Sequence, residues 1–314
     1  MKYFSMFTGI GGFELGIQRA LDNEYAHISE ESEQEERPQG RERAADKQGV
    51  LLHPGDGTAP LCVGYSEIDK YAIATYQSHF GGHRNYGDAT KINARELPDF
   101  DLLVGGFPCQ AFSVAGKRKG FDDTRGTLFF DIARILSEKR PRHLVLENVK
   151  GLLGHDGGKT FTTIVGILTD LGYFVEWQVL NSKDFGVPQN RERVFIVGHH
   201  GGEPRRKVFP IFGTNGKALK QIIGGSQGDR VYAPSGVSAT LASQAGGKGA
   251  KTGLYKLDTR IRRLTPLECE RLQGFPDNWT VGSDTQRYKQ CGNAVTVNVV
   301  EAVMRGLYEV QPNE

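Results

Sequence analysis

Cysteine is scarce in this chain of 314 residues: Cys62, Cys109, Cys269 and Cys291 are all there are, and no two form a CxxC pair. That spacing excludes a zinc ribbon and a disulfide scaffold, and it fits a reducing cytoplasm, with no metal site expected. Long apolar runs are missing as well, none approaching the ~18 residues of a membrane span. The opening MKYFSMFTGIGGFELG reaches Glu14 before any small-residue cleavage site, so the reading is of a protein neither membrane-bound nor exported. A surplus of either charge is also lacking, with 39 Lys and Arg against 37 Asp and Glu. Any preference for a polyanion must therefore be local. What abounds is glycine, 41 residues in all, nearly double the usual share of about 7%. Tight turns and close backbone approaches to a ligand are implied.

The first two thirds alternate short apolar runs with amphipathic stretches, the pattern of a doubly wound α/β fold with a parallel sheet. Strands are expected at Tyr3–Phe7, Leu61–Ser66, Leu102–Gly105, His143–Glu147, Phe174–Leu180 and Val194–Val197. Phe13, Ile17, Ala20 and Leu21 share one helical face, and so do Leu128, Phe129, Ile132 and Leu136, and Phe161, Ile164, Val165 and Leu168. Two segments break the rhythm. Glu24 to Lys47 holds eight acidic and four basic residues and reads as the front of a solvated insertion at about 22–60. His200 to Arg263 holds twelve Lys and Arg, three Asp and Glu and twelve glycines, a local charge of +9. It is expected to form a separate small unit facing a polyanion. Beyond it, Thr265-Pro266-Leu267-Glu268 reads as a capping box, with Gly274 as the helix stop.

Chemistry gathers at the expected strand ends. Phe7-Thr8-Gly9-Ile10-Gly11-Gly12 is a glycine turn opening a helix, but Glu14 stands where a dinucleotide site needs its third glycine, so NAD is disfavoured. Glu67 follows the second strand, where an acid holds a ribose diol, and Asp88 and Ala89 are expected near the end of a third, as an acceptor and a small contact for adenine. Pro108 fixes its own φ and keeps Phe107 out of the helical region, so Cys109 is expected in a constrained turn at the ligand edge of the sheet. Glu147 ends another apolar strand. Arg191 and Arg193 precede or open the next, and as alternate residues of an extended chain they are expected to share a face.

GGFPCQAFSVAG, ENVKG, QNRERVFIVG, the opening FTGIGGFELG and the closing QCGNAVTVNVV stand in the order and spacing of the DNA cytosine C5 methyltransferases of prokaryotes and phages, which the chain closely resembles. The resemblance implies a Rossmann-like α/β fold of the S-adenosylmethionine-dependent methyltransferases, with a small, mostly irregular or β target-recognition domain. Residues 1–199 and 288–314 would form the catalytic domain and 200–287 the target-recognition domain. S-adenosyl-L-methionine would be the methyl donor and S-adenosyl-L-homocysteine the product. Double-stranded DNA would be the partner, its target cytosine flipped out, and the enzyme would be a cytoplasmic monomer with a restriction endonuclease as a separate companion.

By position, the resemblance makes Cys109 the nucleophile for cytosine C6, Glu147 the contact to N3 and the exocyclic amine, and Arg191 and Arg193 the arginines near the base and its phosphate, Arg193 at O2. It puts Phe7, Gly9, Gly11, Gly12, Glu67, Ile68, Asp88, Ala89, Pro108, Asn293 and Val295 around the donor; Ile68 stands where many relatives carry an aromatic. It makes 110–126 a loop closing over the flipped base, with Gln110, Ser113, Lys117 and Arg118 toward DNA. Base reading is expected within 201–256, with Arg230, Gln244, Lys248 and Lys251 as donors to base edges or phosphates. One branch of the family acts on tRNA, but it carries a Cys-Phe-Thr tripeptide in its target region, and 200–263 holds no cysteine. A catalytically dead DNA reader is the other alternative, and the intact Cys109, Glu147 and Arg193 oppose it.

Overall fold

A computed structural model describes residues 1–33, 60–108, 128–202, 204, 207–213, 218–224, 229–243, 251–257 and 260–309, with the backbone alone over 23–33. Alternate residues of its apolar runs face opposite ways, and both sets are buried. In β1 (Lys2–Met6), Phe4 and Met6 join one core with Leu103, Leu144 and Leu146, while Tyr3 joins another with Leu102, Val104 and Val145. A strand covered on both faces belongs in the middle of a layered α/β body.

The other strands of that sheet are β2 (Leu61–Ser66), β3 (Leu102–Gly106), β4 (His143–Val149), β5 (Tyr173–Asn181) and β6 (Glu192–His200), in the order β2-β1-β3-β4-β6-β5. All six expected strands are present. Helices α1 (Gly12–Glu33) and α7 (Val297–Glu309) cover one face through Ile17, Ala20, Val300 and Val303. Helices α3 (Leu128–Lys139) and α4 (Lys159–Asp170) cover the other through Phe129, Ile132, Leu136, Ile164 and Leu168. Helix α2 (Lys70–Phe80) starts on the N-cap Asp69, whose side chain accepts the N–H groups of Tyr71 and Ala72.

Three expectations need correction. The sheet is not wholly parallel, because β6 runs antiparallel to both β4 and β5. Only residues 182–191 separate β5 from β6, too short a link for a crossover helix, so the two pair as a hairpin. Asp88 and Ala89 do not end a third strand: an isolated bridge joins Asn85 to Tyr65, and Asp88 then caps a one-turn 3-10 helix, Ala89–Lys91. The charged insertion is not loop from its start either, since α1 runs on to Glu33; residues 34–59 lie outside the described residues.

The glycine-rich window holds β7 (Gln221–Ile223), β8 (Val231–Tyr232), β9 (Leu254–Leu257) and β10 (Arg260–Arg263), a second sheet in the order β10-β9-β8-β7. Helix α5 (Pro266–Leu272) begins on the expected capping box of Thr265 and Glu268, and Gly274 follows it at φ +80°. Phe275 and Trp279 then pack with Ile10, Leu15, Ala72 and Val297 on the large body, and α6 (Asp284–Asn293) leads into α7.

Candidate active site

The turn after β1 is strained and anchored. Phe7 sits at φ +55° and Gly9 at +60°; a bulky residue held there costs about 1–3 kcal/mol and persists only where its surroundings impose it. They do so here: the Thr8 hydroxyl donates to Ser5 Oγ at 2.9 Å, and the Thr8 N–H donates to the Ser66 carbonyl at 3.3 Å. Beside the turn, the Glu67 carboxylate accepts the N–H groups of Gly9, Ile68 and Asp69, each at 2.8 Å. Asn85 brackets the same residue, accepting the Glu67 N–H and donating to its carbonyl. Backbone donors therefore fix this acid at the end of β2.

One side of the turn is packed and the other open. A Cβ on Gly12 would lie 2.7 Å from Val295 Cγ1, whereas one on Gly9 would meet no described atom within 4 Å. Trp279 Nε1 donates to the Ile10 carbonyl at 2.9 Å, and the His79 ring stacks on the Trp279 indole at 3.5 Å. Val295 is buried, Asn293 is exposed at the end of α6, and Ile68 is 73% exposed. Ala89 is buried, and the Asp88 carboxylate accepts from the backbone and hydroxyl of Thr90.

The neighbouring strand ends carry the second half of the site. Gly106 at the end of β3 pairs with Glu147 of β4, and a Cβ there would come within 3.1 Å of Glu147 Oε2, so glycine leaves room for the carboxylate. Arg193 Nε lies 2.9 Å from Glu147 Oε1, with the two side chains 16% and 12% exposed. The Asn148 amide donates to the Phe107 carbonyl at 2.8 Å, pinning the backbone just before Pro108, which is exposed. Cys109 comes next in sequence but lies outside the described residues, as do Gln110, Ser113, Lys117, Arg118, Gln244 and Lys248.

Arg191 lies near Arg193 but has hydrogen-bond partners of its own. It is 2% exposed and donates to the carbonyls of Leu241, Gly292 and Ala294 at 3.2, 3.2 and 2.8 Å. Burial, helped by the nearby Arg193, pushes its guanidinium pKa down to about 9. In the small unit, Arg230 is exposed beside β8, and Lys251 Nζ reaches the Thr285 carbonyl at 3.5 Å.

Residue types alone missed several supports. Asn148 was visible as a second polar residue at an apolar strand end, and Gly106 as the second of a glycine pair. Nothing in the sequence signalled that Trp279, far along the chain, braces the first turn. Nor did it show that Glu14 is buried to 1% exposure, with Tyr76 donating to Oε1 at 3.4 Å and Oε2 without a hydrogen bond.

Solved structures share this architecture: the methyltransferase Dnmt2 of S. pombe superposes with a TM-score of 0.71 over 98% of both chains at 18% identity. A putative DNA modification methyltransferase from an E. coli prophage gives 0.66 over 99% of both at 20% identity. The fold is that of the α/β methyltransferases. The family described as C-5 cytosine-specific DNA methylase matches residues 57–230 and 214–309. The Type II methyltransferase M.HhaI of Haemophilus parahaemolyticus is 38% identical over 77% of this chain and 86% of its own. M.SsoII of Shigella sonnei is 44% identical over 76% and 71%, and M.NlaX of Neisseria lactamica 38% over 96% and 94%. The chain belongs to the C-5 cytosine-specific DNA methylases and is a DNA cytosine-5 methyltransferase.

Proposed function

We propose that this enzyme transfers a methyl group from S-adenosyl-L-methionine to C5 of a flipped cytosine in a specific double-stranded DNA sequence, through a covalent bond between Cys109 and C6. The observation that carries the reading is the register of the large sheet. Met6 pairs with Ser66 and with Gly105, and Gly106 pairs with Glu147, so the glycine turn, Glu67, Phe107 and Pro108, which precede Cys109, and the Glu147–Arg193 pair lie at one edge of the sheet. In open α/β sheets ligands bind at that edge.

The donor set fits S-adenosyl-L-methionine. The strained turn has an open side at Gly9, Glu67 presents a carboxylate suited to a ribose diol, and exposed Ile68 offers an apolar face to adenine, with Asp88 and Ala89 alongside. Val295, packed on Gly12, and Asn293 are assigned to the methionine end, with Phe7, Gly11 and Pro108 as further contacts to the donor. A cofactor bound there would supply an electrophilic methyl group, with S-adenosyl-L-homocysteine as the product.

Cytosine C5 is too poor a nucleophile to accept that group unaided. Addition of the Cys109 thiolate to C6 pushes the C5–C6 π pair onto C5 and makes an enamine. Glu147 holds N3 and the exocyclic amine, drawing electron density into the ring, and Arg193 reaches O2 while orienting Glu147. Loss of the C5 proton to a base then restores the double bond and expels the cysteine. Residues 1–199 and 288–314 make the catalytic domain and 200–287 the recognition domain, in which Arg230, Gln244, Lys248 and Lys251 read DNA. Gln110, Ser113, Lys117 and Arg118 close over the target. A cytoplasmic monomer paired with a separate restriction endonuclease completes the reading; no described helix is long and apolar enough to cross a membrane. Bisulfite sequencing of DNA from a host expressing the chain tests it: protected cytosines in one fixed sequence context are expected, and their absence from an expressed, folded enzyme would refute it.

A further inference from the structure

Among the described residues Arg191 has the largest fully buried side chain, and its hydrogen bonds go to backbone carbonyls rather than to a described carboxylate. A charge taken out of water is costly unless its hydrogens find acceptors. Here Nη1 and Nη2 find three backbone carbonyls from two parts of the chain that are distant in sequence, while Nε has no hydrogen-bond partner among the described residues. Leu241 lies in the segment leaving the small sheet, while Gly292 and Ala294 bracket the turn between α6 and α7.

These parts touch as well as share a donor. A Cβ on Gly292 would lie 2.5 Å from the carbonyl carbon of Ala242 and from the nitrogen of Ser243, so the 241–243 backbone rests directly on α6. Residues 188–191 hold the same segment from the other side: Ser238 donates to the Pro188 carbonyl, Asn190 donates to Ser238, and Leu241 donates to the Gln189 side chain. Past Ala294, Val295 packs on Gly12 of the first turn. Two residues beyond Arg191 in the other direction, Arg193 carries the ion pair to Glu147.

We infer that Arg191 is a positioning residue that fixes the Asn293–Val295 turn against the glycine turn and ties it to the base of the recognition unit, rather than a contact to the cytosine or its phosphate. A planar fork can serve three carbonyls at once; an ammonium on a flexible stem cannot hold that geometry. Losing the fork therefore frees Ala294, and with it Val295, before DNA is bound. The inference rests on the reading that S-adenosyl-L-methionine lies in the Phe7–Gly12 turn.

Calorimetry with S-adenosyl-L-homocysteine and no DNA separates the possibilities. Arg191→Lys is expected to weaken binding about tenfold, the loss of roughly one charge-assisted hydrogen bond. Its single-turnover methylation rate at saturating cofactor and DNA should stay within about threefold of wild type, because the fork makes no transition-state contact. Gly292→Ala, which forces 241–243 off α6 and so pulls the Leu241 carbonyl from an intact arginine, is expected to show the same split and serves if Arg191→Lys does not fold. Wild-type affinity in folded Arg191→Lys, with a single-turnover rate lowered a hundredfold or more, would overturn the inference in favour of a substrate contact. The reading beneath it has its own control: if Glu67→Ala binds the homocysteine as tightly as wild type does, the site itself is misassigned, whatever Arg191 does.

Discussion

Strands of the large sheet run five to nine residues and its central ones bury both faces, although Trp177 on the edge strand β5 is exposed, whereas those of the small sheet run two to four, and β7 and β10 are exposed along their whole length. Ile222, Ile223 and Ile261 stand 47, 48 and 51% exposed in the small sheet, while Phe4, Leu103 and Leu144 in the large one are fully covered. A sheet of such short strands has little apolar burial to stabilise it. Besides the apolar contact of Leu241 with Cys269, Leu272 and Cys291, polar ties join the small unit to the large body, from Ser238 to Pro188, from Leu241 to Gln189 and from Leu241 to Arg191. The contrast suits the proposed division of labour, in which the large body holds the chemistry and the lightly built unit reads DNA.

The largest effect is expected at the sheet edge: Cys109→Ser should lower methyl transfer by about a thousandfold or more, since a neutral hydroxyl is a far weaker nucleophile than a thiolate. Gel-shift affinity for DNA should be retained, and a variant with near-normal turnover would remove the thiol from the mechanism. Glu147→Gln comes next, with kcat down by roughly 10²–10⁴ in a tritium-transfer assay, as for a lost proton-handling group. It also leaves Arg193 without its anion, and unchanged kcat would sever the pair from catalysis.

A grafting experiment tests the other side. Replacing 201–256 with the corresponding segment of a relative of different specificity should move the methylated sequence and leave the single-turnover rate within about an order of magnitude, each lost bidentate base contact being worth about 1–3 kcal/mol. If the graft folds, methylates and keeps the parent sequence, base reading lies in the large body.

Stability against pH probes the large body alone. Burial pushes the Glu14 carboxyl up to about 7, against lowering hydrogen bonds from Ser5 and Tyr76. The unfolded value is ~4.3, so the folded state binds the proton more tightly. The stability this group confers is full below about pH 4 and falls as pH rises through 7, by an amount on the order of 3 kcal/mol. Glu14→Gln should flatten that slope in urea melts between pH 5 and 8; an identical slope would mean the carboxyl is not the titrating group. The smallest effect belongs to the insertion: replacing 34–57 with a short Gly/Ser link should change turnover less than about twofold, because closure entropy varies slowly with loop length. A large loss in a folded deletion would reveal a contact there.

Much of the large body was legible because its strands are short apolar runs, and Glu67 and Glu147 read as strand-end acids from the pattern around them, which is where the sheet has them. Apolar periodicity carries no strand direction, so the reversal of β6 was invisible. Strands as short as Val231–Tyr232 do not complete a pattern, so the small sheet showed only as charge and glycine. Alternation assigned Arg191 a face but could not say that Leu241, Gly292 and Ala294 cover it. Trp279 and Ile10 are brought together by the tertiary fold alone.

The central claim is that Cys109 attacks C6 of cytosine while a methyl group is delivered to C5. Duplex DNA synthesised with 5-fluorocytosine in place of cytosine tests it directly, because fluorine at C5 leaves no proton to eliminate and traps the adduct. Incubated with S-adenosyl-L-methionine, the wild-type enzyme should give a denaturant-resistant protein–DNA band whose cross-linked peptide contains Cys109, and Cys109→Ser should give none. An active wild-type enzyme that forms no such band, or forms it equally with Cys109→Ser, would contradict the account.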